Sequence, residues 1–255
     1  MVIYSEEFNY KMLIVNCKLN KSGDEMEVSK RLNWILNKMD KCDAIMDVGT
    51  DHGYIAIELI KRNLADKIIA SDINKDPLNK AKLNVSLEGL SSKVDLRLGG
   101  GLAPLKNDEV QGVLIAGMGG NLIRDILEKD IEKVKNMDYI VLQPAQNPEV
   151  LREYLYTGNY EVFDEDVCED EGKYYELFKV KYKENSSTKL EEIFYEISPV
   201  LLNKKSGVFK NYLVEKADKY RKVHSFIKDN TEHALARKKE LDNKIEIIEN
   251  LLKTF

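Results

Sequence analysis

Apolar residues along this chain follow one rhythm as far as residue 155 and another beyond residue 186. In the first part, short apolar runs at 44–46, 67–71, 94–98, 113–116 and 139–142 alternate with segments whose apolar side chains recur every three or four residues. Runs of that length bounded by Gly, Asn and Asp read as strands, and the intervening period is that of helices. Val28, Leu32, Ile35, Leu36 and Met39 predict a helix ahead of the first strand, and residues 55–61 predict one after it. A third helix opens near Asp76-Pro77, where proline suits the first turn, and ends at Gly89. Leu122, Ile123, Ile126 and Leu127 place a fourth, and a fifth runs through Leu155. Strict alternation of this kind builds an α/β fold with a doubly wound parallel sheet.

The rhythm changes at residue 160. Residues 160–167 and 174–182 are adjacent strand candidates joined by the acidic Cys168-Glu169-Asp170-Glu171-Gly172, a link too short for a crossover, so they predict an antiparallel hairpin. Beyond the polar linker at 185–188 no strand pattern remains. Ile193, Phe194, Ile197 and residues 199–202 form an apolar segment that docks on the body, and 208–228 and 231–253 read as two long helices. Their apolar positions (Phe209, Leu213, Ala217, Tyr220, Ile227; Leu235, Leu241, Ile245, Ile248, Leu252) and the break at Asp229-Asn230 predict an antiparallel helical hairpin with a narrow coiled-coil seam. Residues 1–26 do not share either rhythm and read as an extension with a short strand at 11–15. The expected division is therefore an extension over 1–26, a sheet domain over 27–185 and a helical domain over 186–255.

Composition refines this picture in three ways. The chain of 255 residues carries a net charge of −5, which argues against a uniformly basic nucleic-acid binder. The charge is unevenly spread, however: residues 186–255 hold 14 Lys and Arg against 11 Asp and Glu, so the helical tail is net positive and can touch phosphate. The three cysteines, Cys17, Cys42 and Cys168, lie far apart without a C-x-x-C spacing, which suggests neither a disulfide framework nor a metal site and fits a reducing cytoplasm. No apolar run approaches the roughly 20 residues that span a bilayer, and the start lacks the pattern of a signal peptide.

Candidate chemistry collects where the predicted strands end, which is where open α/β sheets bind ligands. The first strand runs into Asp47-Val48-Gly49-Thr50-Asp51-His52-Gly53-Tyr54. Small residues there admit a ligand to the backbone, but Asp47 and Asp51 suit a cationic or hydroxyl-rich ligand better than a polyphosphate. S-adenosylmethionine (SAM), with a sulfonium, an ammonium and a ribose diol, has that chemistry. Asp72 follows the second strand at the spacing of a ribose-binding acid, with a helix N-cap as the competing role. A second carboxylate in one turn is costly without a nearby cation or donor, which singles out Asp51 as facing the chemistry. His52 reads either as a base or as a hydrogen-bonding residue of the turn. The third strand ends in Gly99-Gly100-Gly101, and the fourth in Ala116 and Gly117-Met118-Gly119-Gly120, where glycine backbone leaves room for a flat base or simply makes a tight turn. Arg31 can pair with the SAM carboxylate or stand solvated on its helix.

Ser29-Lys30-Arg31-Leu32, Asp47-x-Gly-Thr-Asp51-His52-Gly53-Tyr54, Gly117-Met118-Gly119-Gly120, Leu142-Gln143-Pro144 and Gly172-Lys173-Tyr174-Tyr175-Glu176 resemble, in that order, the bacterial tRNA adenine-22 N1-methyltransferase family. The resemblance covers 28–255 and implies a Rossmann-like SAM methyltransferase sheet, SAM as cofactor, tRNA as partner and a cytoplasmic enzyme, a monomer or weak dimer. It implies Asp51, Gly117 and Met118 at the methyl-transfer centre. The cofactor would lie against Arg31, Asp47, Gly49, Thr50, Asp51, His52, Gly53, Asp72, Ile73, Gly99, Gly100, Gly101, Ala116 and Gly117, with no metal. Two positions depart from the family pattern. Gly100 stands where an aspartate usually holds the SAM adenine, leaving that contact to backbone or to a neighbour such as Asp95, and Ala145 stands where an asparagine is common. Because adenine N1 is an unprotonated lone pair, transfer needs positioning more than a strong base, with Asp51 accepting from the exocyclic amine. Competing readings are a SAM-dependent methyltransferase for another RNA, a protein or a small molecule, and a SAM-fold RNA-binding protein with weakened catalysis. A nicotinamide dehydrogenase is a further reading, disfavoured by the lack of G-x-G-x-x-G in the first turn.

Overall fold

The computed structural model describes residues 28–255; the extension at 1–26, its strand at 11–15 and Cys17 lie outside the described residues. Helix α1 (Lys30–Leu36) starts where Ser29 accepts a hydrogen bond from the Leu32 amide at 3.2 Å. There follow β1 (Cys42–Val48), α2 (Tyr54–Lys61), β2 (Ala65–Asp72), α3 (Lys75–Leu87), β3 (Val94–Leu98), β4 (Gly112–Gly119), α4 (Gly120–Lys129), α5 (Ile131–Val134), β5 (Tyr139–Gln146) and α6 (Pro148–Thr157). The chain continues through β6 (Tyr160–Asp170), β7 (Lys173–Tyr182), α7 (Ile193–Glu196), α8 (Pro199–Lys204), α9 (Gly207–Phe226) and α10 (Glu232–Leu252).

The seven strands form one sheet in the order β3-β2-β1-β4-β5-β7-β6. Pairs β1–β2, β1–β4, β2–β3 and β4–β5 are parallel, whereas β7 pairs antiparallel with both β5 and β6. This is the Rossmann-like arrangement the alternating pattern predicts. The apolar runs are unbroken because helices cover both faces: one core layer gathers Met46, Ile69, Ile115, Ile123 and Leu142, the other Leu32, Ile45, Ile57, Ile68 and Val141. The strand order reverses between β1 and β4, which opens a crevice at their carboxyl ends.

Three details differ from the pattern-based expectation. β4 continues through Gly117-Met118-Gly119 as strand and not as a turn, with register shifts against β5 on both sides of Met118 and Gly117 at φ +77°. The reason is its neighbour: Met118 pairs with Pro144, which has no amide to donate, so the ladder bulges there. The β6–β7 link is two residues, Glu171 and Gly172, both at positive φ, which matches strand twist in a tight hairpin, so the acidic stretch 168–170 is strand. The docking segment, to which the pattern assigned no element, is two short helices, α7 and α8.

Helices α8, α9 and α10 start at Ser198, Ser206 and Thr231, each accepting from an amide three residues on. α9 and α10 run antiparallel, since contacts pair Lys205 with Thr254, Arg221 with Glu249 and His224 with Asp242. Phe209, Leu213, Ala217 and Ile248 pack with Val167, Ile197 and Leu201 into a third core layer. The joint with the sheet is polar. Buried Arg152 on α6 donates to Glu165 on β6 at 2.8 Å, to Glu176 on β7 and to the Tyr195 carbonyl at 2.6 Å. Tyr212 on α9 donates to the other Glu176 oxygen at 2.7 Å. Burial opposes charge on Glu176, yet Arg152 and Lys216 hold its carboxyl below its ordinary range.

Candidate functional site

The turn after β1 is held by its neighbours. The Gly49 and Thr50 amides both donate to the Ser71 carbonyl at 2.8 Å, so the turn hangs from the end of β2. Gly49 sits at φ +77°, and a Cβ there would lie 2.4 Å from Met118 Cε, which shows how closely β4 approaches the turn. His52 adopts φ +60° although it is not glycine. Asn84 on α3 donates to its carbonyl at 2.9 Å, and its ring stacks parallel to Tyr54 with centroids 5.5 Å apart. Gly53 then opens α2 without any side-chain cap, close against Ala81 of α3.

Electrostatics divide the two carboxylates of this turn. Asp47 is buried, and burial raises its carboxyl from 3.8 to about 6; Thr50 beside it opposes the shift without meeting hydrogen-bond geometry, and Asp72 adds to it. Asp51 is half-buried. Burial raises its carboxyl as well, opposed by His52 and by Lys80 on α3, and reinforced by Asp72. His52 Nε2 lies 3.2 Å from Asp51 Oδ1.

At the end of β2, Asp72 Oδ1 accepts from the Asn74 amide at 2.7 Å in a local turn, and Asn74, not Asp72, stands at the N-cap position of α3, without a side-chain capping bond. The Asp72 carbonyl accepts from the Gly99 amide at 2.9 Å and draws the loop after β3 alongside. Ile73 is 70% exposed, and its Cδ1 lies 3.4 Å from where a Cβ on Gly100 would sit, so Ile73 and residues 99–101 form an apolar shelf beside Asp72. Gly101, at φ +56°, lies against Ile126. Asp95 is committed elsewhere: Arg97 donates to it at 2.8 and 3.0 Å and also binds Glu109, so it is not the substitute carboxylate considered from the sequence. Ala116, Gly117 and Met118 lie at the end of β4 between this turn and Gln143-Pro144 of β5. Ala145 is exposed, as are Gln146 and Asn147.

Among the described residues, the buried side-chain atoms lacking a hydrogen-bond partner are Asp47 Oδ2, Thr50 Oγ1, Ser71 Oγ and Gln143 Oε1. All four lie at or just past the carboxyl ends of β1, β2 and β5. Buried polar groups in native proteins are normally paired, so this cluster marks a place built for a ligand rich in hydrogen-bond donors. The ammonium and hydroxyls of SAM fit that need, and of the nearby glycines Gly100 is open apart from Ile73, whereas Gly49, Gly99 and Gly101 pack against Met118, Pro104 and Ile126. The crevice thus gathers Asp47, Gly49, Thr50, Asp51, His52, Gly53, Asp72, Ile73, Gly99, Gly100, Gly101, Ala116, Gly117 and Met118. The Arg31 guanidinium lies 4.7 Å from the Tyr175 ring centroid on β7, and its amide donates to Asp170.

Sequence reasoning missed Ser71, Gln143 as an unpaired group, Lys80 and Asn84. Helical spacing was the available signal for the last two, which lie four apart on the face of α3 that carries Ala81. Ser71 and Gln143 gave none, because a polar residue at a strand end is ordinary.

Comparison with known proteins places these features in context. A family model described as tRNA (adenine(22)-N(1))-methyltransferase matches residues 45–250. The chain is 28% identical over 235 residues to the Bacillus subtilis (strain 168) protein of that description, covering 90% of this chain and 98% of the relative. It is similar to Streptococcus pneumoniae Sp1610 solved in complex with S-adenosyl-L-methionine, at 32% identity and TM-score 0.77 over 89% of this chain and 100% of that one. M. capricolum TrmK in complex with S-adenosyl-homocysteine superposes with TM-score 0.76 at 29% identity, covering 88% and 99%.

Proposed function

The chain belongs to the tRNA (adenine(22)-N(1))-methyltransferase family, and from that premise we propose that the crevice described above is where this protein moves a methyl group from SAM to N1 of adenine 22 in tRNA. The observation that carries the reading is the set of unpaired buried oxygens at Asp47, Thr50, Ser71 and Gln143, opening beside Asp51 and the glycine bulge of β4. Family membership favours this over methylation of another substrate class, and over an RNA-binding protein without catalysis.

When bound, SAM supplies an electrophilic methyl on a sulfonium. Asp47 and the glycine turn hold its amino-acid end, and Asp72 takes the ribose hydroxyls. Ile73 and residues 99–101 cover the adenine by apolar contact, since Gly100 offers no carboxylate. Arg31, whose guanidinium lies over the Tyr175 ring, would pair with the SAM carboxylate. Asp51, beside His52 and within the field of Lys80, accepts a hydrogen bond from the exocyclic amine of the target adenine and so increases the density on N1. Gly117 and Met118 shape the slot for that base. N1 lies on the pairing edge, so the nucleotide must enter unpaired.

The protein works as a catalytic unit over 27–185 carrying a helical unit over 186–255 whose hairpin contacts the tRNA backbone, as a cytoplasmic monomer or weak dimer. Among the described residues no helix is long and apolar enough to cross a membrane. Incubation with labelled SAM and unmodified tRNA, followed by mapping of the product nucleoside, tests the activity; no label in tRNA under conditions where SAM binds refutes it. Asp51→Asn lowers kcat by on the order of 10²-fold while SAM affinity changes little. Equal losses in both would make Asp51 a cofactor ligand only.

A further inference from the structure

Ala81 and Val85 bury the inner face of α3, so this helix is fixed against the sheet. Lys80, Ala81 and Asn84 share the side turned to the loop after β1, because residues three and four apart lie above one another on a helix. Ala81 meets Gly53 there so closely that a Cβ on Gly53 would stand 3.1 Å from its own. One turn further, Asn84 Nδ2 donates to the His52 carbonyl at 2.9 Å, spanning 32 positions of sequence.

His52 is the residue of this loop that needs such a hold. Its φ of +60° belongs to a region that residues with a Cβ rarely adopt, and Gly53 beside it, at +74°, is left-handed too. Two such residues in succession leave the peptide between them free to rotate unless something outside the loop fixes its carbonyl. Asn84 does so from a rigid helix. The His52 side chain carries the constraint forward: its ring lies within 3° of parallel to that of Tyr54, and its Nε2 stands 3.2 Å from Asp51 Oδ1. The Asp51 side chain is 30% exposed, so packing alone does not fix its carboxylate. The Gly49 and Thr50 amides hang separately from the Ser71 carbonyl, so the first half of the turn does not depend on Asn84.

We propose that Asn84 is a positioning residue for the methyl transfer: its hydrogen bond to the His52 carbonyl holds the second half of the turn so that the Asp51 carboxylate meets the exocyclic amine of the target adenine. This rests on the role given to Asp51 above. Attack by an unprotonated lone pair on a sulfonium methyl depends on alignment, and a displacement of about 1 Å at the site costs up to about 10²-fold in rate. Because the half of the turn that meets SAM is held independently, loss of the Asn84 contact falls on kcat and not on cofactor binding.

The test uses the full chain with SAM and unmodified tRNA. Asn84→Leu keeps the size of the side chain, removes the donor and suits a helix, so the fold is retained. It lowers kcat roughly tenfold with KM for SAM nearly unchanged. Asn84→Gln, which carries the same amide on a longer arm, restores most of the rate. The deciding measurement is the cycle with Asp51→Asn. Acting through Asp51, Asn84→Leu adds no further loss to that variant, which stays about 10²-fold below the parent. A role elsewhere multiplies the two losses to about 10³-fold and overturns the proposal, as does parent kcat in Asn84→Leu or a rise in KM for SAM that matches the fall in kcat. Nuclear Overhauser effects between the His52 and Tyr54 rings report the turn without turnover; they weaken in Asn84→Leu, and undiminished effects overturn the proposal. If Asp51→Asn alone keeps the parent kcat, the reading of Asp51 fails separately, and the ring contacts still decide whether Asn84 holds the turn.

Discussion

Asp47→Asn separates the stability of this fold from its ligand chemistry. The folded protein holds the Asp47 carboxyl at about 6 against an ordinary 3.8, chiefly because the group is buried, with Asp72 adding to the shift. A raised carboxyl binds its proton more tightly in the folded than in the unfolded chain. Its contribution is therefore fully present below pH 3.8 and is lost as pH rises through 6. At about 1.4 kcal/mol per pH unit, ionised Asp47 costs the folded protein about 3 kcal/mol at neutral pH. Asparagine keeps the shape and removes the charge, so the variant gains up to about 3 kcal/mol over the parent at pH 7, and the gain fades to near zero at pH 4. Urea denaturation of both proteins without ligand, at fixed pH values from 4 to 8, reads the difference directly, because all other titrating groups are common to the two. SAM affinity falls in the same variant, since the ligand's cationic head loses its complement. A variant less stable than the parent at pH 7, or a stability difference that does not change with pH, refutes the reasoning.

Two further substitutions probe the joint and the cofactor shelf. Arg152→Met leaves Glu165 and Glu176 buried without their shared guanidinium, with only Tyr156 and Tyr212 still donating to them, and lowers unfolding free energy by about 3–5 kcal/mol in chemical denaturation; adding Glu165→Gln and Glu176→Gln restores most of it, and failure of that rescue would show the loss to be one of packing. Gly100→Asp tightens SAM roughly tenfold by calorimetry, as a charge-assisted hydrogen bond does, because the backbone there is outside the left-handed region and a Cβ meets only Ile73 at 3.4 Å; unchanged or weaker binding would show that the shelf has no room for the carboxylate.

Much of the site was legible because it follows local rules. Asp47, Gly49, Asp51, Gly53 and Asp72 announce themselves by standing where a strand ends and a helix begins, and a parallel sheet brings all such ends to one edge. The bulge at Gly117-Met118-Gly119 was not legible. It depends on Pro144, a residue 26 positions away in sequence from Met118, lying opposite in the ladder. The charged neighbours of Asp51 were half legible: His52 is its neighbour in the chain, whereas Lys80 acts on it through space only because α3 packs against α2 beside Gly53 and Ala81.

The joint between sheet and helical tail shows the same limit more sharply. Nothing in the local pattern marks Arg152, Glu165 and Glu176 as buried, since charged side chains seldom are. They are buried because α6, β6, β7 and α7 converge on one guanidinium whose donors match their oxygens, while Tyr212 meets the second Glu176 oxygen. Periodicity and turn chemistry act within a few residues, so the chain alone determined its strands, its helices and the edge where ligand chemistry gathers. Desolvation and charge pairing depend on what lies across space, so only the tertiary structure decided that Asp47 keeps its proton up to about pH 6, that Asp95 is already taken by Arg97, and that Lys222, Lys228, Lys238 and Lys239 form no ion pair among the described residues.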